Sequence, residues 1–376
     1  MLFIQQEDLK IGMRLAKPIY NKKGVLLYER NSKLTAQGIE SVKNFGLIGI
    51  YILEPAEPLP PMTQDDINFE RFQTMCVFSI QEELLAIREK QKYQKLPTIA
   101  DTIIKDYGHL ERKINFVQNL RSNEDYVFKH SLNVAILCAL MTHKLNMYYE
   151  ELKETIDAAI VHDIGKLNIE DELLKKGGNL DDGERAKVRH CEVAGLDIIE
   201  QACRSLSPNV KRIAQQAYTQ LENFRSGKSV DMVKTMKSSK VLMVAEVFDT
   251  MTAMSYGYEP TSEIAALRYL MEYPEVFDEQ VVEALINSVN FLSEGCCIEL
   301  SNGEKGLVLA ANEQDILKPM ILLFKDNSII DLRQQLIYAD LEIKDIMKTL
   351  DNRHVMNMDV AKQFGMMGQS TEEPEA

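Results

Sequence analysis

Three stretches of the sequence place costly polar side chains in apolar surroundings. His162 and Asp163 follow the mostly apolar run 156–161, which predicts a buried helix. His130 lies on the apolar face of a second predicted helix, and Asp249 lies on the apolar face of a third. Such groups are rarely buried unless they are paired or bind a metal ion. One divalent cation would satisfy all four side chains, with water completing its coordination sphere.

Each of these residues also has a simpler interpretation. Asp163 could bond locally at the end of its helix, with Gly165 terminating that helix. A single histidine such as His130 on an apolar face is more often a satisfied core residue. Asp249 is harder to explain in this way, because aspartate is almost never fully buried without a partner. Since three predicted helices each carry such a group, the pattern favours a metal site.

The order of these residues resembles the H…HD…D pattern of the HD superfamily of metal-dependent phosphohydrolases. The chain is also similar to one branch of it, the HD-GYP proteins, which in bacteria hydrolyse cyclic di-GMP. The similarity covers roughly residues 65 to 290. It lies in segments that occur in the family's order: 129–135, 162–166, 173–180, His190 with Glu192, and 244–249.

The resemblance assigns roles to individual side chains. It implies a first metal ion of the Fe, Mn or Zn class with four ligands: His130, His162, Asp163 and Asp249. It also implies that His190 contributes to a second metal and that Asp163 bridges the two ions and is needed for catalysis. Lys166 could contact a phosphate oxygen as a point charge. The alternative for Lys166 is a solvated lysine at the end of a helix.

One part of the family pattern is missing. The family has His-His-Glu and then Gly-Tyr-Pro between the positions that match His190 and Asp249, whereas residues 213–228 contain neither. The amides of Gln215 and Gln216 in this segment are weak ligands for transition metals. We therefore expect one tightly bound metal ion per chain. The expected function is a phosphodiesterase acting on cyclic di-GMP or a related phosphoester, and the alternative is an inactive relative that senses a nucleotide or binds a partner.

Composition limits the kinds of partner and compartment. A net charge of −14 and a pI of about 5.1 argue against a DNA- or RNA-binding surface. The six cysteines form no CxxC pair, which is typical of a reduced, cytosolic protein. The longest apolar run, 134–141, is far shorter than the roughly 20 residues of a membrane span. We expect a cytoplasmic protein with a cyclic dinucleotide or other small phosphoester as ligand, no nucleic acid or membrane partner, and a protein partner or homodimer left open.

The periodicity of apolar residues predicts a mainly α protein. The predicted parts are a small α+β module (1–54), a Pro-rich linker (55–64), an all-helical HD-type bundle (65–292), a small antiparallel β module (293–345) and a disordered tail (352–376). Bundle helices are predicted at 66–92, 97–120, 126–145, 149–164, 182–203, 209–222, 235–254, 262–272 and 278–291. The linker predicts few contacts between the first module and the bundle.

Overall fold

The computed structural model describes most of the chain up to residue 346. The described residues are 2–20, 26–45, 47, 49–53, 64–90, 92–116, 118, 121–122, 124–203, 205–253, 260–292, 294–312, 314–338 and 340–346. Nearly all of the predicted linker and the whole predicted tail lie outside them. The chain divides into two compact units, residues 1–289 and 290–376.

The N-terminal module combines short strands with one helix. Its elements are β1 (Leu2–Gln5), a 3-10 turn (Gln6–Asp8), β2 (Arg14–Leu15), β3 (Ile19–Tyr20), β4 (Leu26–Tyr28), α1 (Ala36–Asn44) and β5 (Gly49–Leu53). Strand β5 pairs antiparallel with β1 and β2, and β3 pairs with β4 in a separate sheet. Thr35 begins α1, because its side chain accepts a hydrogen bond from the Gly38 amide. Leu15, Val42 and Ile50 are fully buried in the module's own core.

The bundle that follows is helical, as predicted. Its helices are α2 (Gln64–Arg88), α3 (Leu96–Tyr107), α4 (Tyr126–Lys144), α5 (Tyr149–Val161), α6 (Asp171–Lys176), α7 (Asp182–Cys203), α8 (Pro208–Arg225), α9 (Lys237–Thr252), α10 (Glu263–Glu272) and α11 (Glu279–Ile286), with 3-10 turns at Ile164–Asn168 and Gly177–Asn179. Helix α4 is buried along nearly its whole length and packs against α2, α5 and α9. This central position explains why its sequence lacks a polar stripe.

One predicted helix is much shorter than expected. Helix α3 ends at Tyr107, with Gly108 at its C-cap, whereas the periodicity predicted a helix as far as residue 120. Glycine is a poor residue for a helix interior, so this end has a local cause. The described residues between 108 and 125 are irregular, and Gln118 and Arg121 of this segment are buried.

Two glycines allow a very close contact beside the HD pair. A Cβ atom on Gly165 would lie 2.4 Å from the carbonyl oxygen of Cys191, and one on Gly195 would lie 2.6 Å from the Gly165 Cα. Helix α7 therefore lies directly on the 3-10 turn that follows Asp163. Gly165 is required for this approach rather than for a left-handed helix cap, because its φ is not positive.

The C-terminal unit is an antiparallel sheet. Its elements are β6 (Cys297–Leu300), β7 (Lys305–Ala310), β8 (Met320–Leu323), β9 (Ile329–Asp331), the short helix α12 (Gln335–Tyr338) and β10 (Ile343–Ile346). The strand order is β10-β6-β7-β8-β9, with β10 and β9 at the two edges. A helical bundle with small sheets before and after it confirms the predicted fold class. Within the described part of the chain, no helix has the length and apolar character needed to cross a membrane.

Candidate metal centre

Side chains from α4, α9 and the end of α5 converge in the bundle core. One ligand atom from each of His130, His162, Asp163 and Glu246 lies within 4.8 Å of the other three. His130 Nε2 is 2.5 Å from Glu246 Oε2 and 3.4 Å from Asp163 Oδ2. His162 Nε2 is 3.0 Å from Glu246 Oε2. Two imidazoles and two carboxylates are a donor set that suits Fe, Mn or Zn.

The two histidines present the same ring nitrogen to this group. His130 Nδ1 is 2.6 Å from Asp249 Oδ2, and His162 Nδ1 is 2.7 Å from the carbonyl oxygen of Ala159. When each Nδ1–H donates to its acceptor, the lone pair of each Nε2 points into the group. Outer hydrogen bonds of this kind fix the tautomer and ring orientation of histidine ligands.

Asp249, a predicted ligand, lies outside the group of four. Its Oδ2 accepts a hydrogen bond from Arg121 Nη2 at 2.5 Å. Its Oδ1 accepts bonds from Asn133 Nδ2 at 2.9 Å and from Gln118 Nε2 at 3.1 Å. Burial opposes ionisation, but Arg121 and His130 lower the pKa of Asp249 to about 2. Both Asp249 oxygens therefore already have hydrogen-bond partners. The carboxylate also lies on the opposite side of the His130 ring from Glu246.

The residues around Asp249 form a buried polar network. Arg121 is fully buried, and its guanidinium carbon lies 5.1 Å from the centre of the Tyr126 ring. Gln118 Nε2 also donates to Thr252 Oγ1 at 2.9 Å, and Gln118 Oε1 accepts from Asn133 Nδ2 at 2.8 Å. This network fixes the Asp249 carboxylate, and with it the ring of His130.

Lys166 belongs to the same cluster. Its Nζ lies 2.5 Å from Asp163 Oδ2 and 3.9 Å from Glu246 Oε1. Burial alone would lower the pKa of Lys166, but Asp163 and Glu246 raise it. Its side chain is only 22% exposed, which does not match a solvated lysine at a helix end.

The charges of the group fit a divalent cation. The buried Asp163 Oδ2 has no hydrogen bond, although it is ion-paired with Lys166. Burial opposes ionisation of Glu246, but His130 and Lys166 hold the pKa of that carboxyl well below its ordinary value. Glu246 Oε2 and Asp163 Oδ2 both lie close to His130 Nε2, at the point where an ion would bind. A divalent cation would take that position and neutralise both carboxylates.

His190 does not join this group. It is exposed on α7 and lines a surface cavity of about 410 Å³ together with Asn168, Leu173 and Lys187. Glu192 of α7 interacts electrostatically with the centre. Burial raises the pKa of its carboxyl, the charge of Lys166 opposes this rise, and the charge of Asp163 adds to it.

In residues 213–228, where the family has its second-metal histidines, polar side chains bond to other residues. Gln216 Oε1 accepts hydrogen bonds from the Met236 amide and from Ser239 Oγ, each at 2.9 Å. Glu222 Oε1 lies 3.2 Å from Arg189 Nη1. Among the described residues, one group of histidine, cysteine and carboxylate side chains is close enough to hold a metal, and it is the group around His130.

The family of the chain follows from this region. A model of the HD domain matches residues 127–254, which include His130, the HD pair and Glu246. Residues 127–254 are an HD domain, and this part of the chain is similar to the HD-GYP proteins. This confirms the resemblance inferred from the sequence.

Several known proteins are similar to this chain. A cyclic di-GMP phosphodiesterase of Pseudomonas aeruginosa is 24% identical over 58% of this chain and 53% of its own length. The 3'3'-cGAMP-specific phosphodiesterase 2 of Vibrio cholerae is 25% identical over 42% of this chain and 30% of its own length. The chain thus spans about half, or less, of the length of these relatives. A solved structure of an HDG"Y"P protein from Bdellovibrio bacteriovorus aligns with 76% of this chain and 97% of its own, at 15% identity and a TM-score of 0.47.

Proposed function

We propose that this protein is a metal-dependent phosphodiesterase that hydrolyses a cyclic dinucleotide, with cyclic di-GMP as the first candidate substrate. The observation that carries the proposal is the convergence of His130, His162, Asp163 and Glu246 inside the matched HD domain. The activities named for its relatives support the substrate class.

In this proposal, His130, His162, Asp163 and Glu246 hold one divalent cation. A cation held by these residues would lower the pKa of a bound water and would serve as a Lewis acid towards a phosphoryl oxygen. Glu246 takes the place first assigned to Asp249, because both Asp249 oxygens are engaged by Arg121, Gln118 and Asn133.

The other residues of the centre orient the ligands and the substrate. Asp249 keeps the proton of His130 on Nδ1, so that Nε2 is free to bind a metal. Lys166 keeps its ammonium beside Asp163 and donates hydrogen bonds to a phosphate oxygen.

The balance of charge favours an anionic substrate. Asp163, Glu246 and Asp249 carry three negative charges, and Lys166 and Arg121 carry two positive ones. Histidines bind a metal ion as neutral imidazoles, so in a metal-bound centre one net negative charge remains before the ion is counted. A divalent cation reverses this sign, so the site would attract a phosphodiester although the whole protein is acidic.

A second candidate function is a nucleotide sensor that binds without hydrolysis. It is favoured by two observations: His190 is exposed, and Gln216 accepts hydrogen bonds at the start of α9, so neither side chain adds a ligand for a second metal to the described centre. Two-metal sites stabilise both the attacking and the leaving oxygen of a phosphoryl transfer, and a single ion gives less of this stabilisation.

The deciding experiment is a hydrolysis assay of the full-length protein loaded separately with Fe, Mn or Zn. Substrates are cyclic di-GMP, 3'3'-cGAMP, a linear dinucleotide and a mononucleotide. The proposal predicts a linear or mononucleotide product from at least one cyclic dinucleotide, and loss of that product in Asp163→Ala. Saturable binding of a cyclic dinucleotide with no product under any metal would favour the sensor. Absence of both binding and turnover would reject both functions.

A further inference from the structure

The N-terminal module contacts the segment that supports the metal centre. Lys17 Nζ donates a hydrogen bond to the carbonyl oxygen of Gln118. Leu47 forms an isolated antiparallel bridge with Ser122. These two contacts lie on either side of Arg121, so the module touches this segment before and after its buried arginine. From the Pro-rich linker we had expected few contacts between this module and the bundle.

The inner side of the same segment faces Asp249. Gln118 Nε2 is 3.1 Å from Asp249 Oδ1, and Arg121 Nη2 is 2.5 Å from Asp249 Oδ2. Asp249 in turn bonds His130 Nδ1. A short chain of direct contacts therefore leads from Lys17 through Gln118 and Asp249 to the ring of His130.

Lys17 is held in a defined place. Its ammonium lies 4.7 Å from the centre of the Tyr51 ring on β5, in cation–π contact. Glu70 of α2 and Glu263 of α10 attract the ammonium, and Arg30 repels it. Because this lysine is partly buried and bonded to a main-chain carbonyl, it fixes backbone position rather than serving as a free surface charge.

We propose that Lys17 is a positioning residue for the metal centre. By holding the carbonyl of Gln118, it fixes the backbone at Gln118, and so keeps Asp249 bonded to His130 Nδ1. The N-terminal module is then part of the metal centre's support, and loss of the Lys17 contact lowers metal affinity. This inference rests on the proposed metal site, to which it adds a role for a second part of the chain.

The test compares Mn²⁺ binding by full-length, metal-free variants in titration calorimetry. Lys17→Met keeps most of the aliphatic stem and removes the donor, and Lys17→Arg keeps a donor and the charge. Outer partners of metal ligands typically contribute 10- to 100-fold to affinity. We expect Lys17→Met to weaken Mn²⁺ binding about ten-fold, at the lower end of that range. Lys17→Arg should recover most of the loss.

Two control variants separate positioning from general effects. Lys43→Met removes an exposed lysine of α1, and Val42→Ala loosens the module's own core. Both should bind Mn²⁺ with nearly wild-type affinity. Unchanged affinity in Lys17→Met would overturn the proposal, as would an equal loss in Val42→Ala, which would show that only the module's stability matters.

A further readout follows the segment itself. Amide hydrogen exchange of Gln118, Arg121 and Ser122 should be faster in metal-free Lys17→Met than in wild type, and equal rates would also contradict the proposal. Asp163→Ala, titrated in parallel, tests the metal site independently of Lys17. If Asp163→Ala binds Mn²⁺ like wild type, the proposed site is wrong and this inference falls with it. If Asp163→Ala loses the ion but Lys17→Met does not, only the role of Lys17 is wrong.

Discussion

Asp249 Oδ2 lies 2.6 Å from His130 Nδ1, on the opposite side of the imidazole from the metal-binding group. Glu246, one helical turn earlier on α9, lies 2.5 Å from Nε2 of the same ring. We therefore propose that the two carboxylates have different tasks at one histidine: Glu246 binds the ion, and Asp249 orients the ring.

This difference predicts the relative effect of two neutral substitutions. Glu246→Gln removes a charged ligand and should abolish tight metal binding, because amides are weak ligands for these metals. Asp249→Asn keeps all four ligands and should weaken binding by about 10- to 100-fold, as expected for an outer partner. Calorimetric Mn²⁺ titration of both variants measures this, with Glu283→Gln on the exposed side of α11 as the control. The opposite ranking, with Asp249→Asn the more damaging change, would restore Asp249 as the ligand.

The choice between these two carboxylates was difficult to make from the sequence. Residues 246 and 249 are three apart and lie on one buried face of a helix that is apolar nearly all round, so periodicity does not separate them. The sequence nevertheless contained an indication that Glu246 could be a ligand. It is a carboxylate inside the apolar run 241–248, and its burial is as costly as that of Asp249. Only the position of His130, on another helix, decides which of the two carboxylates lies beside its Nε2 and which lies beside its Nδ1.

The support from Gln118 and Arg121 was missed for another reason. A helix as far as residue 120 was predicted across Gly108, and the actual irregular segment directs both side chains inward. By contrast, α4, α5 and α7 were predicted to within a few residues, because long apolar patterns and clear end signals define them. Arg121 and Asp249 lie more than a hundred positions apart in the sequence. A contact between such distant residues leaves no local pattern in the sequence.

A second prediction concerns the close contact beneath the HD pair. Gly165→Ala would place a Cβ atom 2.4 Å from the Cys191 carbonyl oxygen, so α7 must move away from the turn that carries Lys166. We expect destabilisation of about 1–3 kcal/mol, as for overpacking in a core, together with reduced metal retention. Urea unfolding and elemental analysis measure the two effects.

Gly183→Ala is the matched control for that substitution. It lies in the first turn of α7, where the nearest atom to an added Cβ is the Asp181 side chain at 3.3 Å. Alanine is preferred to glycine in a helix, so this variant should be as stable as wild type or more so. Wild-type stability and metal content in Gly165→Ala would show that the contact is not needed.

A third prediction concerns the dependence of stability on pH. Asp157 of α5 is 3% exposed, and its Oδ1 has no hydrogen bond. Burial raises the pKa of Asp157 to about 7, and Asp101 and Glu154 add to the shift. Because the folded-state pKa exceeds the unfolded value of about 3.9, stability from this group is fully present below pH 4 and is lost as the pH rises through about 7.

Asp157→Asn should remove that loss. At pH 8.5 we expect the variant to be more stable than wild type by a few kcal/mol at most, since one pKa unit corresponds to about 1.4 kcal/mol. The advantage should shrink at pH 5.5. Thermal unfolding midpoints at both values measure it, with the exposed Asp106→Asn as control. An identical fall in midpoint with pH in wild type and Asp157→Asn would show that Asp157 titrates normally.

The central claim is a metal centre that binds one ion through the described group around His130. Elemental analysis of the purified full-length protein, beside Asp163→Ala prepared in parallel, tests it most directly. The structure predicts close to one Fe, Mn or Zn per chain in wild type and almost none in Asp163→Ala. Two retained ions per chain in wild type, or an undiminished metal content in Asp163→Ala, would contradict it.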